Sequence, residues 1–268
     1  YEETGKNKII TPASLKSENQ FLKEVDSLAL SNAQLNVKRS FTNFFQKRAK
    51  FPKFKSKKTS VKSYTTNCVN NSIRIEENKY LVLPKLKRIK LKYHREIPKN
   101  YRIKSVTLTN SNGNYYVSVL TEFEKGIQKM SSNDKVIGLD FSMSELFVSS
   151  ENQRADYPRY FRMLEKKLKK LQKSLSRKVK FSKNWYKQKA KISKLHEYIK
   201  NCRRDFLHKL SKKLSETYNA VVVEDLNMKG MSQALNFGKS VGDNGWGMFL
   251  RMLEYKLMFL GKQFLKID

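Results

Sequence analysis

Lys135-Val-Ile-Gly-Leu-Asp140 and Ala220-Val-Val-Val-Glu224 are two short apolar runs that each end in a carboxylate. Runs of this length, rich in β-branched residues, are typical of buried strands. Because the tips of adjacent strands in a mixed sheet lie close together, we expect Asp140 and Glu224 to reach one metal ion. Carboxylate oxygens are the ligands that Mg²⁺ prefers in proteins. Asp225 follows directly, but side chains alternate along a strand, so it should point to the opposite face.

These acids also have a purely structural interpretation. An acid at a strand end often caps the following turn, and two such acids occur by chance in many α/β proteins. A metal pair beside a phosphodiester normally needs a third carboxylate, and Asp268 at the chain end is the remaining candidate. On residue types alone, both interpretations stay open.

The overall charge predicts a polyanionic partner. The 268 residues include 56 Lys and Arg against 24 Asp and Glu, a formal net charge of +32. Nucleic acid is the natural partner, because neutralising each phosphate releases condensed counterions. An anionic membrane is the alternative, but no run approaches the roughly 18 apolar residues of a spanning helix and no signal peptide is evident. We therefore expect no membrane partner and a cytoplasmic location.

The few cysteines and histidines predict little chemistry of their own. Cys68 and Cys202 are far apart in sequence, which excludes a disulfide framework and a four-ligand zinc site and fits a reducing cytoplasm. His196 and His208 fall within a long helical pattern, where surface or packing roles are favoured over metal ligation. Two tryptophans, Trp185 and Trp246, are interpreted as core residues rather than base-stacking ones.

Apolar periodicity divides the chain into three regions and predicts an α+β multidomain protein. Residues 1–58 have helical spacing, which indicates two or three helices followed by a basic linker. Residues 59–130 have a period of two, with an Asn112-Gly113 turn signal, and predict a small β-barrel or sandwich. Residues 131–268 predict a mixed α/β domain, interrupted by a basic helical hairpin at about 158–217.

Basic residues cluster in all three regions. Phe51-Pro-Lys-Phe-Lys-Ser-Lys-Lys58 interleaves rings with cations, which suits bases and phosphates, although a solvated linker is the alternative. Residues 158–217 hold 21 Lys and Arg against four acids, an excess too one-sided for solubility alone. The predicted nucleic-acid-binding residues are Lys53, Lys55, Lys57, Lys58, Lys87, Arg88, Lys90, Lys92, Arg95, Lys166, Lys170, Lys173, Arg177, Arg203 and Arg204.

Several motifs in order resemble one protein family. They are Val136-Ile-Gly-Leu-Asp-Phe-Ser-Met143, Val221-Val-Val-Glu-Asp-Leu-Asn-Met-Lys-Gly-Met231 and Asn236-Phe-Gly-Lys-Ser240, with Leu83-Pro-Lys-Leu86 and His94-Arg-Glu-Ile-Pro98 earlier in the chain. Together with the basic segment that ends at Lys58, they resemble TnpB, the RNA-guided nuclease family of bacterial insertion sequences. This family is related to the type V CRISPR effectors and is often described as a transposase. The resemblance spans nearly the whole chain.

The resemblance implies a function for each region. Residues 1–58 would form a helical recognition segment, 59–130 a β-barrel wedge domain and 131–268 a RuvC domain of RNase H-like fold. A guide RNA would pair with a double-stranded DNA target, and Mg²⁺ would drive cleavage in a bacterial or archaeal cytoplasm. Asp140 and Glu224 match the first and second RuvC acids, which makes them the expected catalytic metal ligands.

This sequence also departs from the family pattern. The family's zinc ribbon, which binds structural Zn²⁺, and its third RuvC aspartate lie beyond the last predicted strand, and neither is present in these 268 residues. The resemblance therefore implies a chain truncated at both ends and cleavage-deficient alone, and Asp268 does not replace the third ligand. Three hypotheses follow: part of an RNA-guided DNA endonuclease, a nuclease-dead RNA-guided DNA-binding repressor, or a non-catalytic transposition accessory protein that binds DNA.

Overall fold

A computed structural model describes residues 10–56, 62–126, 135–234 and 242–267. The chain divides into two compact units, Tyr1–Lys125 and Gly126–Asp268. The first unit takes in nearly all of the two regions predicted for residues 1–58 and 59–130. Its described residues contain fewer α-helices than the two or three that the apolar periodicity predicted.

The described residues of the first unit contain one α-helix, α1 (Ser27–Phe45), preceded by two short 3₁₀ turns at Ser14–Lys16 and Gln20–Lys23. The Asp26 carboxylate caps α1 by accepting a hydrogen bond from the Leu28 amide at 3.3 Å. The same carboxylate accepts a hydrogen bond from the Thr66 hydroxyl. Asp26 therefore ties the start of α1 to the neighbouring sheet.

The predicted β-barrel is wrong for the described residues, whose six strands in this unit form two open sheets. The orders are β1-β5-β6 and β2-β3-β4, all antiparallel. A barrel needs every edge strand to pair, and here each sheet keeps two outer strands while a shared apolar layer joins them. Asn112 and Gly113 both have positive φ, as the predicted hairpin turn requires. The strands are β1 (Lys62–Asn67), β2 (Arg74–Glu76), β3 (Tyr80–Leu83), β4 (Lys87–Lys90), β5 (Arg102–Ser111) and β6 (Asn114–Glu122).

The second unit contains a mixed four-stranded sheet, ordered β10-β9-β7-β8. The strands are β7 (Val136–Ser142), β8 (Leu146–Ser149), β9 (Ala220–Glu224) and β10 (Gln263–Ile267). Strands β7, β9 and β10 run parallel, and β8 pairs with β7 in the antiparallel direction. The helices are α2 (Tyr160–Ser176), α3 (Lys183–Thr217), α4 (Met228–Ala234) and α5 (Trp246–Phe259).

Within this unit, helices cover one face of the sheet. Ile137 and Leu139 of β7 and Val221 and Val223 of β9 are buried in one core with residues of α3 and α5. Val222, whose side chain alternates to the other face, is only half-buried. Burying a large apolar side chain stabilises a fold by about 1.5–3 kcal/mol. This core therefore fixes the positions of β7 and β9 through one face of the sheet. The side chains of these two strands on the other face are not part of this core.

Helices α2 and α3 pack on each other through a separate apolar seam. Leu168, Leu195 and Ile199 are its buried residues. The Gln188 side-chain amide donates a hydrogen bond to the Leu171 carbonyl oxygen at 3.0 Å, which fixes the register of the pair. The later turns of α3 contribute Leu207 and Leu214 to the sheet core, so the helical pair is anchored to the sheet.

Among the described residues, no helix is both long enough and apolar enough to cross a membrane.

Candidate metal site and nucleic-acid surface

The two predicted acids end up side by side. In the parallel pairing of β7 with β9, Leu139 lies opposite Val223, so the next residues, Asp140 and Glu224, continue the same register. Both follow a buried residue and are exposed, which places them on the sheet face opposite the helical core. Neighbouring strands lie about 4.8 Å apart. The fold therefore brings these two carboxylates together, as the strand pattern predicted.

A cleft of about 440 Å³ surrounds these acids. Its other walls come from the same sheet face, including Val148 opposite Asp140 and Ile267 opposite Glu224. The side chain of Ser150 also lines the cleft, and its hydroxyl oxygen accepts a hydrogen bond from the Gly138 amide at 3.2 Å. Among the described residues, the cleft is thus lined by apolar and hydroxyl groups, with negative charge at the two strand tips.

Asp225 belongs to the opposite face, as the alternation predicted. Its carboxylate forms an ion pair with Lys266 of β10 at 3.0 Å, and its amide donates a hydrogen bond to the Ile267 carbonyl oxygen. It does not line the cleft of Asp140 and Glu224. Two adjacent acids of one strand therefore have separate environments.

A third acid does not join the site within the described part of the chain. No group of three or more His, Cys, Asp or Glu residues that could hold a metal ion occurs there. Asp268 lies outside the described residues. The described site is therefore a pair of carboxylates.

A buried polar cluster lies just beyond the end of β7 and was not predicted from the sequence. The Asp243 carboxylate accepts hydrogen bonds from the Phe161 and Arg162 amides, at 3.1 and 3.3 Å, and so caps α2. Arg203 of α3 forms an ion pair with it at 3.2 Å. The side-chain amide of the neighbouring Asn244 donates a hydrogen bond at 2.9 Å to the carbonyl oxygen of Ser142, which lies two residues after Asp140. This cluster joins β7 to the helical pair.

Tyr157 completes the cluster. Burial raises the pKa of Tyr157 to about 12, so its hydroxyl stays protonated near neutral pH. The hydroxyl donates a hydrogen bond to the Asp243 carbonyl oxygen at 2.6 Å and accepts one from Arg203 at 3.3 Å. The only signal in the sequence was the polar Asp243-Asn244-Gly245 stretch before α5, which resembles an ordinary helix start.

Most of the predicted nucleic-acid-binding residues are exposed. Lys57 and Lys58 lie outside the described residues. Arg203 is engaged with Asp243, and Arg88 forms ion pairs with Glu76 and Glu77, so both guanidinium groups have partners within the fold. The exposed remainder comprises Lys53, Lys55, Lys87, Lys90, Lys92, Arg95, Lys166, Lys170, Lys173, Arg177 and Arg204.

His208 and Trp246 have packing roles. Burial, with the nearby Lys256 and Arg204 charges, lowers the pKa of His208. The Lys256 ammonium donates a hydrogen bond to the His208 carbonyl oxygen at 2.8 Å, which explains that proximity. Trp246 is fully buried in the sheet core, as predicted.

Several known proteins are similar to this chain in sequence or in fold. Residues 112–235 match the family model OrfB_IS605, described as "Probable transposase". The Escherichia coli K12 protein InsQ, named as a candidate RNA-guided DNA endonuclease, is 34% identical over 266 residues. The chain belongs to the TnpB family. A Streptomyces pristinaespiralis protein with the same kind of name is 31% identical to this TnpB chain over 250 residues.

These alignments differ in how much of each protein they cover. They take in 94% and 92% of the TnpB chain, but only 65% and 61% of the E. coli and Streptomyces proteins. The fold is also similar to that of the protein in the cryo-EM structure of a Cas12f1–sgRNA–target DNA complex, with a TM-score of 0.54 and 11% sequence identity. That alignment covers 90% of the TnpB chain and 61% of the matched chain in the complex. At that identity, the likeness shows a shared mixed α/β fold.

Proposed function

We propose that this protein is an RNA-guided DNA endonuclease in which Asp140 and Glu224 hold Mg²⁺ beside the DNA strand that is cut. The observation that carries the proposal is the position of both carboxylates at neighbouring parallel strand tips, on one face and in one cleft. A guide RNA and a double-stranded DNA target are the proposed partners. Insertion-sequence transposition is the biological setting that the family implies.

The residues of the cleft fit such an ion. Mg²⁺ binds oxygen ligands, usually one or two carboxylates with retained waters and substrate phosphate oxygens. Asp140 and Glu224 supply two exposed carboxylates, and no cation among the described residues lines their cleft to compete. When bound there, Mg²⁺ supplies Lewis-acid stabilisation of the charge that develops on a phosphodiester. The task of the protein is to hold that ion and to position the strand.

Positioning the strand falls to the basic surface. Residues 158–217 contain 21 Lys and Arg against four acids, a net charge of +17, and their lysines are mostly exposed along α2 and α3. A helix that tracks a phosphate backbone gains binding energy from each counterion released. The Asp243 cluster connects these helices to β7, so a strand bound on the helices would have a fixed relation to Asp140.

The names of the relatives support the RNA-guided part of the proposal. Both curated relatives are named as RNA-guided DNA endonucleases, and the structural neighbour was solved with an sgRNA and target DNA. The TnpB family membership and the shared fold make the same partners the natural ones here.

A second candidate function is RNA-guided DNA binding without cutting. It is favoured by one observation, that the described part of the cleft contains two acids rather than three. We expect the 268-residue chain tested alone to bind its target but to cut poorly or not at all. DNA held without cleavage would make the protein a repressor.

The test is a cleavage assay on the protein as its gene encodes it, purified with its co-expressed RNA. The RNA is sequenced, and a matched double-stranded target is incubated with Mg²⁺ or with a chelator. We expect Mg²⁺-dependent cutting that falls about 100-fold or more in Asp140→Ala, a loss of ~2.7 kcal/mol of transition-state stabilisation. Asp225→Ala is the matched control, because this acid adjoins Glu224 but faces away. Target binding without cutting in the unaltered protein would favour the repressor, and equal cutting by both variants would refute the assignment.

A further inference from the structure

The turn between α2 and α3 exposes an unusual set of apolar side chains. Val179, Phe181 and Tyr186 are 79%, 72% and 53% exposed. Trp185 lies beside them, with its ring centroid 5.6 Å from that of Phe181 and 5.1 Å from that of Tyr186. Large rings exposed together at the tip of a helical pair do not contribute to the core.

The backbone of this turn presents the Phe181 ring at a conformational cost. Phe181 has φ of 67°, in the left-handed region that bulky residues rarely adopt. Ser182 fixes the following residues, because its hydroxyl oxygen accepts a hydrogen bond from the Trp185 amide at 3.1 Å and caps α3. Strain of this kind persists where the surroundings hold it, and it is concentrated at functional sites. The ring is therefore held outward rather than left to fold back.

The charge around the turn identifies the kind of partner. Residues 166–196 contain 13 Lys and Arg and no acid. The Lys189 ammonium lies 4.9 Å from the Trp185 ring centroid, so cations and rings are already interleaved within the structure. A hydrophobic protein surface would not require this charge, whereas a polyanion with aromatic units would. Phosphates and bases fit both features at once.

We propose that the ring cluster formed by Phe181, Trp185 and Tyr186 at this tip binds unpaired nucleotides, with a base stacked on the Phe181 ring. The surrounding lysines neutralise the adjoining phosphates. An unpaired base is required, because the bases inside a duplex are stacked on each other and offer no free face to a side chain. This site is separate from the Asp140 and Glu224 cleft and does not depend on metal. Stacking on an aromatic ring tolerates any base, so the tip would grip strand segments without reading their sequence.

The test measures binding of a labelled oligo(dT) of about ten nucleotides to the intact chain, purified free of nucleic acid and kept in chelator. Phe181→Leu keeps an apolar side chain and removes the stacking face, and it should lower affinity about fivefold or more, as loss of one base–aromatic stack does. Phe181→Trp should restore binding. Val179→Ala is the matched control, an exposed apolar residue of the same turn, and should stay within about twofold, as surface substitutions do.

Tryptophan emission gives a second, local readout. Trp185 and Trp246 are the two tryptophans of the chain, and Trp246 is fully buried, so a change on adding oligo(dT) reports Trp185. We expect quenching that disappears in Trp185→Phe. Equal affinity of Phe181→Leu and the unaltered chain would overturn the proposal, as would equal affinity for a duplex of the same length. Because chelator is present, neither outcome depends on whether the protein cuts DNA.

Discussion

Asp243→Ala is predicted to destabilise the second unit strongly. Asp243 is buried, with only 3% of its side chain exposed, and it serves both the α2 amides and Arg203. Loss of a helix cap costs about 1 kcal/mol, and removal of one partner of a buried ion pair costs about 3–5 kcal/mol. Because the Arg203 side chain is 19% exposed, water would partly compensate its charge, so the lower end of that range applies. Because the cap and the ion pair share one carboxylate, their costs do not add fully, and we expect a total loss of about 3–4 kcal/mol.

The assays are urea denaturation, which gives the free energy of unfolding, and thermal denaturation, which gives Tm, both followed by tryptophan emission. Both tryptophans lie in the second unit, so the signal reports that unit alone. For a domain of this size, each kcal/mol lowers Tm by about 2–4 °C, which gives a fall of about 6–16 °C. Asp205→Ala is the matched control, since this acid pairs with Lys209 on the exposed surface of α3 and should cost less than about 1 kcal/mol.

A double-mutant cycle with Arg203→Met separates the two roles of Asp243. The cycle should give a coupling energy of about 0.5–3 kcal/mol for the ion pair. The residual effect of Asp243→Ala in the Arg203→Met background should then be the helix cap alone. If Asp243→Ala is no more destabilising than Asp205→Ala, the cluster does not anchor α2 and α3, and the reasoning fails.

Three further predictions follow from the structure and the charge. Burial lowers the pKa of His208, so on acidification the unfolded chain takes up this proton before the folded chain does. The free energy of unfolding should therefore fall as the pH drops below about 6.5. His208→Gln should weaken this dependence of Tm on pH, and an unchanged dependence would contradict the role given to His208. Leu253→Ala should lower the free energy of unfolding by about 2–5 kcal/mol because Leu253 is fully buried, whereas Met258→Ala, at an exposed residue, should change it little; urea denaturation measures both. Affinity for RNA, measured at several salt concentrations, should fall by about 0.7–0.9 log units per log unit of salt for each neutralised phosphate, and a flat profile would exclude a polyanion site.

The strands that carry the acids were predictable because their signal is local. A run such as Val221-Val-Val, ending in Glu224, combines β-branched residues with a polar end, and a buried parallel strand needs both. The pairing of β7 with β9 then follows from the helical pair between them, since parallel strands require a crossover connection. The juxtaposition of Asp140 and Glu224 thus depended on pattern and connectivity alone.

The features that sequence reasoning missed depend on long-range contacts. Asp243 meets Phe161 and Arg203 across 82 and 40 residues, and nothing in the local sequence marks that convergence. Barrel closure likewise depends on which edge strands pair, and the period of two is the same in an open sheet. Helical spacing between residues 10 and 26 was also misleading, because the short segments there have no buried residues and form 3₁₀ turns.

The surroundings of Trp185 differ from the prediction for a similar reason, because this residue is half-buried and belongs to neither apolar cluster of the second unit. Trp185 was interpreted as a core residue because aromatic residues on a helical face usually are. The apolar seam between the two helices reaches only Leu171 on α2 and Ile192 on α3 at the end nearest the turn. The rings of Phe181 and Trp185 therefore lie beyond the packed region. Where a seam ends is set by the partner helix, and the sequence of one helix does not contain that information.

Metal titration of the cleft tests the central proposal most directly. Mn²⁺, which can replace Mg²⁺ at oxygen sites, is titrated into the protein and its binding is followed by electron paramagnetic resonance. Asp140→Asn and Glu224→Gln should each weaken binding at least about tenfold, since even outer partners of a metal site change affinity 10–100-fold. Asp225→Asn should leave it unchanged. If all three variants bind Mn²⁺ as the unaltered protein does, the two carboxylates do not form a metal site.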